Sequence, residues 1–285
     1  MKLISVLDHL AATPTAPEPT PRRALLTKLG RAAAAALPLG LGTAQATTAG
    51  TLDSSFDAAL QLLQLERLQV ALYTQALAAA GLITTAQRPD FERMLAHQTQ
   101  HAALLQQALQ NAGAIVPTVP TFDFSGRHGQ SSNPVLFPNV FTSFDDFLAL
   151  AQQIEDLGVR LYTAHAFNLV YDAVLTRSVL RILPVESQHA SHVRSLRRSR
   201  GAVVQNWPSE EDAVITRPAA AQVLTTAATG GEETTIQYQS AGVSIPFSTF
   251  LTISKGAAIH DPALAESFDE AANTATAQAA MDLFV

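Results

Sequence analysis

Residues 64–74 read QLERLQVALYT, and residues 153–163 read QIEDLGVRLYT. Seven of the eleven positions are identical, at an offset of 89 residues. The stretches QTQHA at 98–102 and ESQHA at 186–190 match at an offset of 88 residues. Two separate matches at nearly one offset indicate that the second part of this region copies the first. The region therefore looks like a duplicated helical hairpin.

Apolar spacing predicts four long helices, at about 54–80, 88–112, 143–170 and 172–200. Ser143 is a suitable N-cap for the third helix, and Pro184 is expected to kink the fourth. The segment 113–142 is rich in Pro, Gly, Ser and Asn, so it is predicted to be a long crossover between helices two and three. This connection resembles the topology of a ferritin-like bundle.

The periodicity changes after the fourth helix. TTIQYQSAGVSI at 234–245 predicts a strand or two around a turn, and the rest of 202–258 is predicted to be loop. Helical spacing returns at 262–281, where Asp261 is the expected cap and Pro262 the first residue.

The predicted fold class is therefore all-α: a four-helix bundle with a small loop and strand insertion and a C-terminal fifth helix. The bundle is predicted to occupy residues 47–201. Residues 202–285 are expected to pack on it.

The N-terminal region has the features of an export signal. Arg22 and Arg23 precede an apolar run at 32–41, and Ala44-Gln45-Ala46 offers a small-x-small cleavage site. We interpret residues 1–46 as a signal, and the paired arginines resemble a twin-arginine signal. An ordinary secretory signal and an uncleaved anchor are the alternatives. The expected location is periplasmic or extracellular.

The composition excludes several classes of function. The chain has no cysteine, which excludes disulfides, thiolate metal sites and cysteine nucleophiles. Its net charge is −6 and it has no long basic cluster, which excludes nucleic acid as a partner. The arginine run at 194–200 is interpreted as the solvated last turn of a helix. No stretch after the signal is long and apolar enough to span a bilayer.

The two copies carry the same polar groups at corresponding positions. These groups are Glu66, Gln98 and His101 in the first copy, and Glu155, Glu186 and His189 in the second. Residues at i and i+3 share a helix face, so Glu186 and His189 can bind one ion together. Glu66 and Glu155 lie among Leu and Val residues, and a buried carboxylate needs a partner such as a metal ion. These six residues are the predicted metal ligands.

One Glu from each of two helices, with Glu-x-x-His from each of the other two, is the signature of di-iron and di-manganese carboxylate proteins. With this pattern, the chain resembles the exported ferritin-like-domain proteins of bacteria over roughly residues 52–200. The resemblance implies a ferritin-like four-helix bundle and one or two iron or manganese ions per chain.

The first copy departs from this pattern at Gln98, where the resemblance places a bridging glutamate. The Gln amide is neutral, so only three carboxylates face the charge of two divalent ions. We therefore expect a better half-site in the second copy and a poorer one in the first. Gln98 is either a direct ligand or a hydrogen-bonding neighbour of the ligands.

Other polar residues lie close to the predicted ligands in the sequence. His97 could supply a second imidazole to the poorer half, but we expect three histidines to lie at the surface or beside the ligands: His97, His165 and His192. Tyr73 and Tyr162 each follow a Glu by seven residues. Their hydroxyls are expected to be hydrogen-bonded in the core. A hydrogen bond to a ligand carboxylate, or a redox role, is the alternative.

Two functions are compatible with this pattern. One is a redox enzyme, an exported di-iron or di-manganese protein that reacts with O₂ or peroxide. The other is a non-enzymatic envelope or stress-protective protein whose degenerate site holds one ion or none, and Gln98 favours this version. Iron storage in a closed shell is a weaker third alternative, because nothing in the sequence indicates such an assembly. Homo-oligomerisation is left open.

Overall fold

Four long helices form the centre of the computed structural model. They are α1 (Leu52–Ala78), α2 (Arg88–Asn111), α3 (Phe144–Ala166) and α4 (Ala173–Ser199). The structure describes residues 52–166, 169, 173–209, 211–229, 237–240, 243–246, 266 and 269–285. All of these belong to one compact unit, Gly50–Val285.

The predicted export signal, residues 1–46, lies outside the described residues and stays a prediction. Within the described part of the chain, no helix combines the length and the apolar character that crossing a membrane requires.

The long helices pair as two hairpins, α1 with α2 and α3 with α4. Helices α1 and α3 also pack on each other, and Tyr73 contacts Glu155 while Tyr162 contacts Glu66. The later residue of each helix contacts the earlier residue of the other, so α1 and α3 run antiparallel. The connection at 112–143 contains no helix or strand. The predicted four-helix architecture with a long crossover is thus confirmed, and α4 continues through Pro184.

Helix α3 lies at the centre of the core because α1, α4 and the shorter C-terminal helices surround it. Its N-terminus forms as predicted, since the Ser143 hydroxyl accepts a hydrogen bond from the Asp146 amide at 3.3 Å. Phe147 near this end packs edge-on against Phe91 of α2, with ring centroids 5.4 Å apart. Such aromatic pairs fix the two hairpins against each other.

The long crossover is held by aromatic packing against the end of the chain. The rings of Phe124 and Phe137 lie 5.5 and 4.9 Å from that of Phe284. Gly126 turns the crossover with a φ of 70°, and a Cβ on it would lie 2.8 Å from the Cβ of Leu136. A glycine is therefore required at this turn, both for its backbone conformation and for space.

The segment after α4 contains short elements. They are a 3₁₀ turn (Ala219–Ala221), α5 (Gln222–Thr229), β1 (Gln237–Ser240), β2 (Val243–Pro246), α6 (Thr274–Met281) and a final 3₁₀ turn (Asp282–Phe284). The two strands pair antiparallel, with Ser240 opposite Val243. The predicted strands are therefore present, and the residues between them, 241 and 242, lie outside the described residues.

The prediction of loop for the rest of 202–258 was wrong at α5. Leu224, Ala227 and Ala228 are buried on one face of this helix, which packs against α3 and α6. Its three threonines lower its intrinsic helix propensity. A helix this short is stable only through its packing, which local sequence spacing does not show.

The C-terminal helix begins later than predicted. Residues 269–273 are not helical, and α6 starts at Thr274 with Asn273 as its N-cap. The Ala272 amide donates to the carbonyl of Arg160 at 3.0 Å. This hydrogen bond holds the segment against α3 in a non-helical conformation. Asp261 and Pro262, the predicted cap and first residue, lie outside the described residues.

Arg194 was predicted to be solvated, and this was wrong. Its guanidinium is fully buried and donates two hydrogen bonds to Asp156, at 2.9 and 2.7 Å. It also contacts Asp212 at 2.5 Å. Burial alone lowers the pKa of Arg194, but the charge of Asp156 raises it well above its usual value. The pair links α3, α4 and the segment after α4.

Replacing Arg194 with Met is expected to lower the free energy of unfolding by about 3–5 kcal/mol, because Asp156 would remain buried without its partner. Urea unfolding at pH 7 measures this loss. Arg200→Met is the matched control, because the Arg200–Asp145 pair is exposed and should contribute at most about 1 kcal/mol. Equal losses in the two variants would contradict this account of Arg194.

Candidate metal centre

Each long helix directs polar side chains into the middle of the bundle. The contributions are Glu66 from α1, Gln98 and His101 from α2, Glu155 from α3, and Glu186 and His189 from α4. The three glutamates and Gln98 are fully buried, whereas the His101 side chain is 12% exposed. The structure thus brings all six predicted residues together, and their binding of a metal stays a prediction.

Two groups of candidate ligand atoms share Glu186. One group is Glu66, His101 and Glu186, and the other is Glu155, Glu186 and His189. Within each group the ligand atoms all lie within 4.8 Å of one another.

The second group has the spacing that a metal ion needs. The Nδ1 atom of His189 lies 3.7 Å from Oε2 of Glu155 and 3.8 Å from Oε1 of Glu186. Ligand atoms bound to one ion at about 2 Å stand about 3–4 Å apart. In the other group, His101 Nδ1 lies 3.1 Å from Glu186 Oε1 and 3.5 Å from Glu66 Oε1, so these separations also fall within that range.

Several buried polar atoms in the cluster lack a hydrogen bond within the described part of the chain. Glu66 Oε2, Glu155 Oε2 and His189 Nδ1 are among them. Leaving such an atom without a partner costs about 1–3 kcal/mol, and more when it is charged. A cation would compensate these atoms. Carboxylate oxygens and imidazole nitrogens are ligands that iron and manganese accept. The residues present therefore fit a metal ion.

Two tyrosines orient the outer carboxylates. The Tyr73 hydroxyl donates to Glu155 Oε1 at 2.5 Å, and the Tyr162 hydroxyl donates to Glu66 Oε1. Each tyrosine therefore fixes one carboxylate oxygen. The other oxygen of Glu155, Oε2, faces His189, whereas Oε1 of Glu66 lies near both Tyr162 and His101. Burial raises the pKa of both tyrosines well above its usual value, so they remain donors. The hydrogen bond to a predicted ligand, given above as the alternative, is what the structure shows.

His97 supports the second copy's half of the site instead of the first. Its Nδ1 lies 3.0 Å from Nε2 of His189, and the two rings stack with centroids 5.2 Å apart. When the Nε2–H of His189 donates to His97, Nδ1 of His189 is left to face Glu155 and Glu186. Metal-binding histidines are commonly held in this way through their other nitrogen.

His165 and His192 do not join either group of ligand atoms. Nε2 of His165 lies 2.6 Å from Oε1 of Gln61, and burial lowers the pKa of His165 to about 4. Nε2 of His192 lies 3.6 Å from a carboxylate oxygen of Asp90. His192 is half-buried at the edge of the bundle, whereas His165 is buried against Gln61, so the prediction of a surface or ligand-adjacent position was wrong for His165.

Burial and neighbouring charges shift the pKa values of the candidate ligands. Burial, and then the charge of Glu186, raises the pKa of Glu66 to about 8. Burial alone lowers the pKa of His101, but the adjacent carboxylates of Glu186 and Glu66 raise it to about 10. For Glu155, burial raises the pKa. Burial also acts to raise the pKa of Glu186, but the adjacent His101 brings it below its usual value.

Two residues of the site, Gln69 and Gly158, were not predicted from the sequence. Gln69 Nε2 donates to Glu186 Oε2 at 2.9 Å. The repeat pairs Gln69 with Gly158, and a Cβ at 158 would lie 3.3 Å from Gln69 Nε2. The signal was present as a mismatch between two otherwise similar stretches. Such a mismatch shows that the two positions differ, without showing what each one contacts.

A comparison with families of known proteins agrees with the geometry. Residues 56–199, which include every candidate ligand and all of the four long helices except the first four residues of α1, match the ferritin-like domain. No curated protein matches the chain. The match covers half of the chain and includes both hairpins, so this protein belongs to the ferritin-like domain family.

Proposed function

We propose that this protein binds iron or manganese at the centre of its bundle, is exported, and uses the bound metal to react with O₂ or peroxide. The observation that carries the proposal is the pair of ligand groups sharing Glu186, with buried carboxylate and imidazole atoms left unpaired. Carboxylates and imidazoles of these groups would bind the metal. Bound iron or manganese would supply electron transfer through its change of oxidation state.

The chain's own residues hold and orient the ligands. Tyr73 and Tyr162 each fix one oxygen of a glutamate, and His97 fixes the ring of His189. The fully buried glutamates keep bulk water from the centre of the site. The partial exposure of His101 leaves the α2 side as the more accessible one. A small molecule such as O₂ or peroxide would reach the site from that side.

A second candidate function is a non-enzymatic metal-binding or stress-protective protein. The observation that favours it is the amide of Gln98, whose Nε2 donates to Glu186 Oε2 at 3.1 Å. This contact occupies an oxygen that would otherwise be available to a second ion. A site that holds a single ion, without turnover, would serve this role.

Metal analysis and turnover assays of the exported protein test the proposal. We expect iron or manganese in the protein purified from the periplasm, an N-terminus at Thr47, and consumption of O₂ or H₂O₂. Metal without turnover would favour the non-enzymatic function. Absence of metal, with no increase in thermal stability on adding Mn²⁺ or anaerobic Fe²⁺, would contradict both.

Tyr73→Phe is expected to weaken binding of the first Mn²⁺ by about 10–100-fold, as the loss of partners that orient ligands commonly does. Its hydroxyl orients Glu155, which belongs to the better half of the site. Tyr162→Phe is the matched control because its hydroxyl orients Glu66 in the other half. Calorimetric titration with Mn²⁺ measures both. A larger effect from Tyr162→Phe would reverse the assignment of the two halves.

A further inference from the structure

The two carboxylate oxygens of Glu186 have different neighbours. Oε1 faces the histidines, at 3.1 Å from His101 Nδ1 and 3.8 Å from His189 Nδ1. Oε2 accepts hydrogen bonds from two amide groups, Gln69 Nε2 at 2.9 Å and Gln98 Nε2 at 3.1 Å. Only Oε1 is therefore available to an ion while both amides are in place.

The orientation of Gln98 follows from its neighbours. A carboxylate only accepts hydrogen bonds, so the NH₂ group of Gln98 must point at Glu186. Its Oε1 then lies 3.0 Å from His101 Nδ1, a contact that requires a hydrogen on that nitrogen. His101 therefore donates through the atom that would otherwise bind a metal, so an ion in the first copy's half-site would have to displace this hydrogen and break the hydrogen bond to Gln98.

Gln69 reaches Glu186 because the facing helix leaves space for it. A Cβ on Gly158 would lie 3.2 Å from Glu186 Oε2 and 3.3 Å from Gln69 Nε2, which is tight against both. The repeat pairs Gln69 with Gly158 and Gln98 with Glu186. The first copy thus contributes two amides where the second contributes a glycine and a carboxylate.

We propose that Gln69 and Gln98 are positioning residues that hold Glu186 by Oε2 and restrict the centre to one ion, bound by Glu155, Glu186 and His189. This inference rests on the proposed function and specifies its metal content. Glu66 and His101 then lie beside the ion without binding it, and His101 contacts Glu186 and Gln98. The amides act in two ways, because they occupy a ligand oxygen and supply none of the charge that a second cation needs.

Titration of the full chain with Mn²⁺, followed by calorimetry and electron paramagnetic resonance, tests the inference. We expect one Mn²⁺ per wild-type chain, with the spectrum of an isolated ion. Gln98→Glu restores a fourth carboxylate and should bind two ions, with a spectrum broadened by their proximity. Gln100→Glu is the matched control because it adds the same charge at an exposed position of the same helix.

Gln69→Ala provides a second variant, one that adds no charge. It releases one of the two hydrogen bonds to Glu186 Oε2, so the second equivalent of Mn²⁺ should bind at least about tenfold more tightly than in the wild type. If Gln98→Glu does not fold, the affinity of Gln69→Ala for the second Mn²⁺ tests the inference alone.

The outcomes separate the inference from the proposed function. Two ions of similar affinity in the wild type would overturn the inference and leave metal binding intact. One ion in a folded Gln98→Glu variant, or an unchanged second affinity in Gln69→Ala, would also overturn it. A wild-type chain that binds no Mn²⁺ or Fe²⁺ would instead contradict the proposed function on which the inference rests.

Discussion

Glu186→Gln is expected to lower the affinity for Mn²⁺ by more than about 100-fold, because even residues that only orient metal ligands commonly contribute 10–100-fold. Glu186 belongs to both groups of candidate ligand atoms, so its replacement removes a charge from each. Calorimetric titration measures the affinity directly. Thermal unfolding gives an independent measure, since a ligand at 100 times its Kd stabilises the folded state by about 2.7 kcal/mol.

The choice of Gln keeps the shape of the site. A Gln at 186 can still accept hydrogen bonds from Gln69 and Gln98 through its oxygen, so the metal-free protein should fold. Glu66→Gln is the matched control, because Glu66 belongs only to the first copy's group. It should retain the first ion with an affinity close to that of the wild type. Equal losses in the two variants would show that the ion does not prefer the half-site of Glu155 and His189.

The four-helix architecture could be predicted because it depends on local patterns. Helical spacing, the Ser143 cap and the composition of the crossover all act within a few residues of the chain. Helix α5 and the late start of α6 could not be predicted, because each depends on a distant contact. Helix α5 needs the surface of α3, and the segment before α6 is tied to Arg160. The burial of Arg194 could not be predicted for the same reason, because its partner Asp156 lies on another helix.

The predicted ligands come together because the repeat places equivalent groups at equivalent heights in two hairpins. The repeat could not show how the two halves differ. That difference depends on Gln69, which contacts Glu186 beside Gly158, where a Cβ would be tight against both side chains. It also depends on His97, which supports the histidine of the other copy. Sequence comparison between the copies pairs equivalent positions, whereas these contacts join positions that are not equivalent.

The protonation of the cluster predicts opposite effects of pH on folding and on metal binding. Glu66 has a pKa of about 8 in the folded protein, against 4.5 for an unperturbed glutamate. The folded metal-free protein therefore holds a proton that the unfolded chain releases. The contribution of this proton to the free energy of unfolding is fully present below pH 4.5, and it is lost as the pH rises through 8. His101, with its pKa raised from 6.5 to about 10, acts in the same direction at higher pH.

Between pH 5 and pH 8, the free energy of unfolding of the metal-free protein is expected to fall by up to about 1.4 kcal/mol per pH unit for Glu66. Affinity for Mn²⁺ should rise over the same range, because the ion competes with protons for the ligand atoms. Urea unfolding without metal and calorimetric titration with Mn²⁺ measure the two trends. Glu66→Gln should flatten the first trend, whereas Glu92→Gln, at an exposed position, should leave it unchanged. Parallel profiles of unfolding free energy against pH for the wild type and Glu66→Gln would contradict this prediction. They would show that Glu66 is ionised in the folded metal-free protein. The buried cluster would then carry its full negative charge before any metal binds.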